Sequence, residues 1–147
     1  MSRTLALLAL SIALVTFGCG PIVMLPGGAL SGTLREAPES WAFTDDVNTV
    51  QLETRPDDPY SVNIWCVRVG DALFVGGTRE STWTRHVVEN PNVRLRVNED
   101  LYELRATEAT TDEEAEGFLA AAAAKYGREL DPEMRAQAIL FKLVPRG

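Results

Sequence analysis

The sequence predicts a mainly β domain with flanking helices, an α+β arrangement of antiparallel strands, and three observations carry that reading. Val93, Leu95 and Val97 alternate with Arg94, Arg96 and Asn98; after Glu99-Asp100, Tyr102, Leu104 and Ala106 alternate with Glu103, Arg105 and Thr107. A period of two puts one face of each strand on a core and the other in water, so these segments form a half-buried hairpin. The centre of Tyr60 to Val69, Ile64-Trp65-Cys66-Val67, is apolar at every position, as expected of a central strand buried on both faces. Thr111-Asp112-Glu113-Glu114 is a capping-box signature that opens a helix.

The remaining elements follow in order. Pro26-Gly27-Gly28 is a turn, and a strand is expected near Ala29 to Leu34. Trp41-Ala42-Phe43 and Thr49-Val50-Gln51-Leu52-Glu53-Thr54 read as a first strand pair around the polar turn Asp45-Asp46-Val47-Asn48. Arg55-Pro56-Asp57-Asp58-Pro59 breaks the chain, because proline cannot donate to a ladder. Gly70-Asp71 is a hairpin signal returning through Ala72 to Val75, which Gly76-Gly77 ends. A short helix from about Ser81 to Asn90 places Trp83 and Val87 on one side, and Pro91 stops it. The capping-box helix runs to about Tyr126, with Gly127 past its end. Ala120 to Ala124 is helix-forming filler. Asp131-Pro132 caps another short helix, and Ile139 to Val144 closes as a strand.

A chain of 147 residues, 46% hydrophobic, holds one domain with a real core. The N-terminus stands apart from it. Arg3 precedes the apolar run Leu5 to Phe17, which ends in Gly18-Cys19-Gly20-Pro21, the layout of a secretory signal and too short for an ordinary membrane span. A signal ending at Gly-Cys resembles the lipobox of bacterial lipoproteins, which implies a signal over residues 1–18, acylation of Cys19, a tether over 19–28 and a domain over 29–147. Gly20 after the cysteine resembles the outer-membrane sorting pattern, so the implied location is the cell envelope, on the outer membrane facing the periplasm, with the lipid as membrane partner. A plain signal peptide, or an uncleaved anchor extended by Ile22 to Leu25, stays open beside it. With Cys19 lipidated, Cys66 has no disulfide partner and is expected as a small buried hydrophobe.

Loss of residues 1–18 removes Arg3 and no acid, moving the formal charge from −7 to −8. No basic cluster exists, which argues against nucleic acid as a partner. The single histidine, His86, rules out a three-histidine metal centre, and the expectation is no metal. Asp45-Asp46 and Asp57-Asp58 lack the ligand spacing of a calcium loop.

The order of elements, with its densest features in Trp83-Thr84-Arg85-His86-Val87-Val88-Glu89-Asn90-Pro91-Asn92-Val93-Arg94-Leu95, resembles the flavin-binding split barrels of the pyridoxamine 5'-phosphate oxidase-like superfamily, including its deazaflavin-dependent branch. The resemblance spans roughly Val50 to Arg146 and implies a six-stranded antiparallel split β-barrel that pairs into a homodimer. It also implies FMN or a deazaflavin as cofactor, with Arg79, Ser81, Thr82 and Arg85 around its phosphate. Trp83 stands where flavin-binding members often carry Lys, and His86 replaces an Asn. The residues themselves give the same stretch a physical rationale, since hydroxyls and arginines at a helix start suit an anion, although Ser and Thr cap helices with no ligand present.

No catalytic pair is evident, and none is required where a cofactor carries the hydride; the catalytic residues stay unassigned. His86 is expected on the helix surface, and Arg94 and Arg96 on a solvated or interface face. Trp65 is expected in packing, whereas Trp83 is open to a ligand cleft. Two functions stand side by side: a membrane-tethered flavin- or deazaflavin-dependent oxidoreductase, and a non-catalytic split-barrel lipoprotein without cofactor that binds a small molecule or a protein partner.

Overall fold

The elements run β1 (Thr33–Arg35), a 3-10 helix (Ala42–Asp46), β2 (Val50–Thr54), β3 (Tyr60–Ile64), β4 (Cys66–Val69), β5 (Ala72–Thr78), α1 (Thr82–Glu89), β6 (Asn92–Val97), β7 (Asp100–Glu108), α2 (Asp112–Tyr126), α3 (Pro132–Gln137) and β8 (Ala138–Pro145). The structure, a computed structural model, describes residues 25–147; the signal segment, Cys19 and the first part of the tether lie outside them.

The strands hydrogen-bond in the order β3-β2-β6-β7-β8-β5-β4, with β1 running parallel beside β7. Its two end strands, β3 and β4, are consecutive in the chain and separated by Trp65 alone. The sheet must therefore curl until its ends nearly meet, and the gap between them is the split of the barrel. The expected mainly β, antiparallel split-barrel class is the observed one. Its strand count is eight rather than six, because β3 and β4 are separate strands and β1 adds a short parallel one.

Inside the curl lie Leu52, Leu73, Val75, Val93, Leu95 and Leu104, each 0% exposed. At about 1.5–3 kcal/mol per buried aliphatic side chain, this interior is the main source of stability. β6 buries Val93, Leu95 and Val97 and turns Arg94 and Arg96 outward, as its alternation predicts. β7 departs from strict alternation, since Leu101 faces outward and is still buried. The segment before β1 covers it: a Cβ on Gly32 would stand 3.3 Å from the Leu101 Cβ. The same segment satisfies the buried Glu53, whose Oε2 accepts the Leu30 N–H at 2.6 Å, with Arg94 3.6 Å from its other oxygen. Arg94 and Arg96 are thus half-buried over Glu53 and Gln51.

The segment Tyr60 to Val69 is not one central strand buried on both faces. It breaks at Trp65, which is 47% exposed, while Cys66 turns into the barrel and Val67 packs under α2. The four apolar residues serve three environments at a corner, and a continuous run cannot distinguish a corner from a covered strand. Trp41 to Phe43 is also not a strand. Trp41 is buried edge-on against Tyr102, the Thr44 hydroxyl donates to the Trp41 carbonyl at 2.7 Å, and Asp45 pairs with Arg68, so the chain winds as a 3-10 turn. Gly76-Gly77 does not end β5, which continues to Thr78. A Cβ on Gly77 would lie 2.6 Å from Trp83 Cζ2 and one on Gly76 2.8 Å from Leu140 Cδ2, so these glycines let two neighbours approach the strand.

Helix α2 lies outside the sheet, where Phe118 joins Val67 and Phe74 in a second small core. It begins at Thr111, whose hydroxyl accepts the Glu114 N–H, and ends at Gly127 with φ 63°, as its capping pattern predicts. No helix among the described residues is long and apolar enough to cross a membrane.

Candidate functional site

β5 presents its side chains to two different spaces. Leu73 and Val75 point into the barrel, where a Gly77 Cβ would also point, while Phe74 faces α2. Gly76 follows Phe74 on that outer side, and its missing side chain lets Leu140 and Phe118 close onto the strand: a Cβ there would stand 2.8 Å from Leu140 Cδ2 and 3.1 Å from Phe118 Cζ. Beside it lies a cavity of about 290 Å³ walled by β4, β5 and β8 on one side and by α2, α3 and their connecting loop on the other. Val67, Phe118, Leu130, Met134 and Leu140 give it apolar walls, and Trp65 stands at its edge.

Trp65 is held there by Tyr126, whose ring stacks on the indole at 4.2 Å with an interplanar angle of 7°. Tyr126 is in turn fixed by its hydroxyl, which accepts the Cys66 N–H at 3.2 Å and lies 2.8 Å from the Asn48 carbonyl and 2.9 Å from the Cys66 carbonyl. Burial pushes this phenol up to about 12. Next to it, the Lys125 ammonium donates to the carbonyls of Thr44 and Cys66 at 2.9 Å. Burial raises the Cys66 thiol, against the opposing pull of Lys125 3.6 Å away. Cys66 is free and buried, a packing residue rather than a reactive one. The C-terminal turn of α2 therefore clamps the corner between β3 and β4 and aims Trp65 at the cavity.

At the α1 end, Thr78 lines the cavity, and its hydroxyl is 2.8 Å from that of Ser81, the N-cap residue of α1. Ser81 is thereby turned away from the helix N–H groups, while the buried Thr84 hydroxyl donates to the carbonyls of Thr78 and Ser81. Arg79 pairs with Glu108 at 3.2 Å. Arg79 and Arg85 share a shallow groove with Val88, Glu89 and Ile139. Of the four residues expected around a phosphate, Arg79 and Arg85 come together, Ser81 joins Thr78, and Thr82 stands exposed on the first turn of α1.

The tryptophans exchange their expected roles. Trp83 is 7% exposed and packs against Phe141 inside the barrel, whereas Trp65 borders the cavity. His86 is half-buried rather than on the helix surface. Its Nδ1 is 3.0 Å from the Thr54 hydroxyl and its ring meets Tyr60 edge-on. Burial lowers its pKa, helped by Arg55 and Arg85 and opposed by Glu89 and Asp58. Gly76, Phe118, Leu130, Met134 and Leu140 were not expected at the site. The Gly76-Gly77 pair inside an apolar strand was the one local signal for them.

Residues 56–137 match the family model of F420H(2)-dependent quinone reductases, more than half of the chain. This chain belongs to that family. The matched segment contains β3 to α3 and so every wall of the cavity except β8. No curated protein matches the chain. Among solved structures, it is similar to an F420 reductase at 20% identity and a TM-score of 0.53, over 76% of this chain and 97% of that one. It is also similar to a Listeria innocua protein of the pyridoxamine 5'-phosphate oxidase type, at 17% identity and a TM-score of 0.58, over 72% and 90% of the two chains. An FAD-binding protein from Mesorhizobium loti matches at 12% identity and a TM-score of 0.54, over 72% and 87%. These three likenesses establish the fold of the superfamily, and membership of the reductase family rests on the matched segment.

Proposed function

We propose that this chain is a deazaflavin- or flavin-dependent oxidoreductase that seats the cofactor ring in the cavity beneath α2 and α3. The observation that carries the reading is the cavity between β5 and the α2–α3 layer, an apolar space with an aromatic edge walled largely by the segment that matches the family. Its volume of about 290 Å³ lies just under the range of small-ligand pockets, roughly 300–1,000 Å³, which suits a planar ring whose tail lies outside. Val67, Phe118 and Leu140 would exclude water from the ring, Trp65 would bound it, and the Thr78 and Ser81 hydroxyls would meet the tail as it leaves toward Arg79, Thr82 and Arg85. The bound cofactor would supply the hydride to an acceptor of the quinone class named by the family. The chain's own contribution is orientation and a dry face.

The test is a fluorescence and absorbance titration of the full chain with riboflavin, FMN and a deazaflavin, repeated on Gly76→Val. The reading expects saturable binding that Gly76→Val abolishes without unfolding the protein. No binding at tens of micromolar, or equal binding by the variant, overturns it.

We also propose that Cys19 is acylated after cleavage, tethering the domain to the outer membrane on its periplasmic side, and that the domain forms a homodimer. The Gly18-Cys19 junction at the end of the apolar run supports the first. Palmitate labelling of wild type and Cys19→Ser tests it, with label kept by the variant as the refuting result. Sedimentation tests the second, and a stable monomer at micromolar concentration refutes it.

A further inference from the structure

We infer that the cavity takes a ring cofactor without drawing affinity from a phosphate on its tail, and that Glu108 is the residue that sets this preference. The inference rests on the proposed ring site and narrows the class of ligand. The arginines that follow Thr78 in the neighbouring groove, and the one in the cavity wall, each lie beside an acid. Arg79 is paired with Glu108 at 3.2 Å, Arg85 has Glu89 in the same groove, and Arg128 has Glu129 beside it in the cavity wall. A phosphate arriving at this rim meets no net positive charge, within a chain of formal charge −7.

An exposed ion pair is weak, so the effect of Glu108 does not lie in bridge strength. A carboxylate fixed beside the guanidinium cancels the field of Arg79 and repels a phosphate dianion at short range. A riboflavin-type tail of hydroxyls is not repelled, and Thr78 and Ser81 can exchange hydrogen bonds with it. Glu108 thus occupies the position toward Arg79 that a phosphate would take.

The experiment measures riboflavin and FMN binding by flavin fluorescence on the full chain, on Glu108→Gln, on Arg79→Gln and on the double variant. In wild type the two dissociation constants should agree within about threefold, whereas a working charge-assisted phosphate contact gives roughly tenfold or more. Glu108→Gln should tighten FMN by roughly tenfold, the scale of one released charge-assisted contact, with riboflavin unchanged. The double variant should lose that gain, and Arg79→Gln alone, which leaves the Glu108 carboxylate uncompensated, should weaken FMN relative to riboflavin. FMN bound tenfold tighter than riboflavin by wild type, or no gain in Glu108→Gln, overturns the inference while leaving the ring site standing. Failure of both flavins to bind removes the ring site itself, and this inference with it.

Discussion

Replacing Tyr126 by Phe isolates one oxygen atom. The stack on Trp65 needs only the ring, which Phe keeps, and the Cys66 carbonyl retains its bond from Lys125 at 2.9 Å. Asn48 is exposed, so water can take over at its carbonyl. What remains is the Cys66 N–H, which belongs to a residue that is 0% exposed and which donates to the Tyr126 oxygen at 3.2 Å. Leaving a buried donor without a partner costs about 1–3 kcal/mol, equivalent to a fall in Tm of roughly 4 °C per kcal/mol for a domain of this size. Urea unfolding followed by tryptophan fluorescence measures it. A second signature comes from the phenol, which ionises at about 12 when folded and near 10 when unfolded. Between those values the folded state holds a proton that the unfolded state has released, so wild-type stability falls as pH rises through this window. Tyr126→Phe should lack that part of the slope. A change under about 0.5 kcal/mol, the range of ordinary surface substitutions, with an unchanged alkaline slope, would refute the clamp at the β3–β4 corner.

Three further outcomes are expected. Gly77→Ala, with its Cβ 2.6 Å from Trp83 Cζ2 and 3.0 Å from Thr84 Cγ2, should destabilise by about 1–3 kcal/mol, typical of overpacking, and shift the Trp83 emission; a neutral change in urea unfolding speaks against the close seat of α1. Glu53→Ala leaves the Leu30 N–H and the Arg94 guanidinium without their acceptor and should cost about 1–3 kcal/mol, read out together with faster proteolysis of the segment before β1. For His86, whose folded pKa lies below its ordinary value, the unfolded state takes up a proton that the native state resists. Stability should therefore fall as pH drops below about 6.5, more steeply in wild type than in His86→Gln; identical slopes would discount the role of the half-buried imidazole.

How far the fold was legible depends on how local its causes are. Val93, Leu95 and Val97 announce β6 because one face alone is covered, and Thr111 with Glu114 announces α2 because a helix start is satisfied within one turn. The corner at Trp65 was hidden because its cause is remote: Tyr126, sixty-one positions on, supplies both the stacking surface and the hydroxyl that holds Cys66. Trp83 and Trp65 were exchanged for the same reason. A helical tryptophan beside arginines looks exposed until Gly77 gives it a seat in the barrel, and a tryptophan in an apolar run looks buried until the run bends. At the candidate site, the arginines and hydroxyls of residues 79–85 were visible in the sequence, but Glu108, which holds Arg79, lies on another strand and left no local mark.

The glycine pair in β5 connects these observations. Successive strand positions face opposite sides of the sheet, so Gly76 and Gly77 each remove a side chain from a different space. The absence at Gly77 seats Trp83, and with it α1, against the barrel. The absence at Gly76 lets Leu140 and Phe118, two walls of the cavity, close onto the strand. One dipeptide therefore sets both the position of the helix that carries Thr82 and Arg85 and the room available to a ring. The two effects are separable by substitution, because a side chain at 76 displaces Leu140 and Phe118, which wall the cavity, while one at 77 displaces Trp83. Loss of ring binding in Gly76→Val with α1 intact, set against disturbed α1 packing in Gly77→Ala, would show that the cavity and the helix start are built by adjacent residues on opposite faces of one strand.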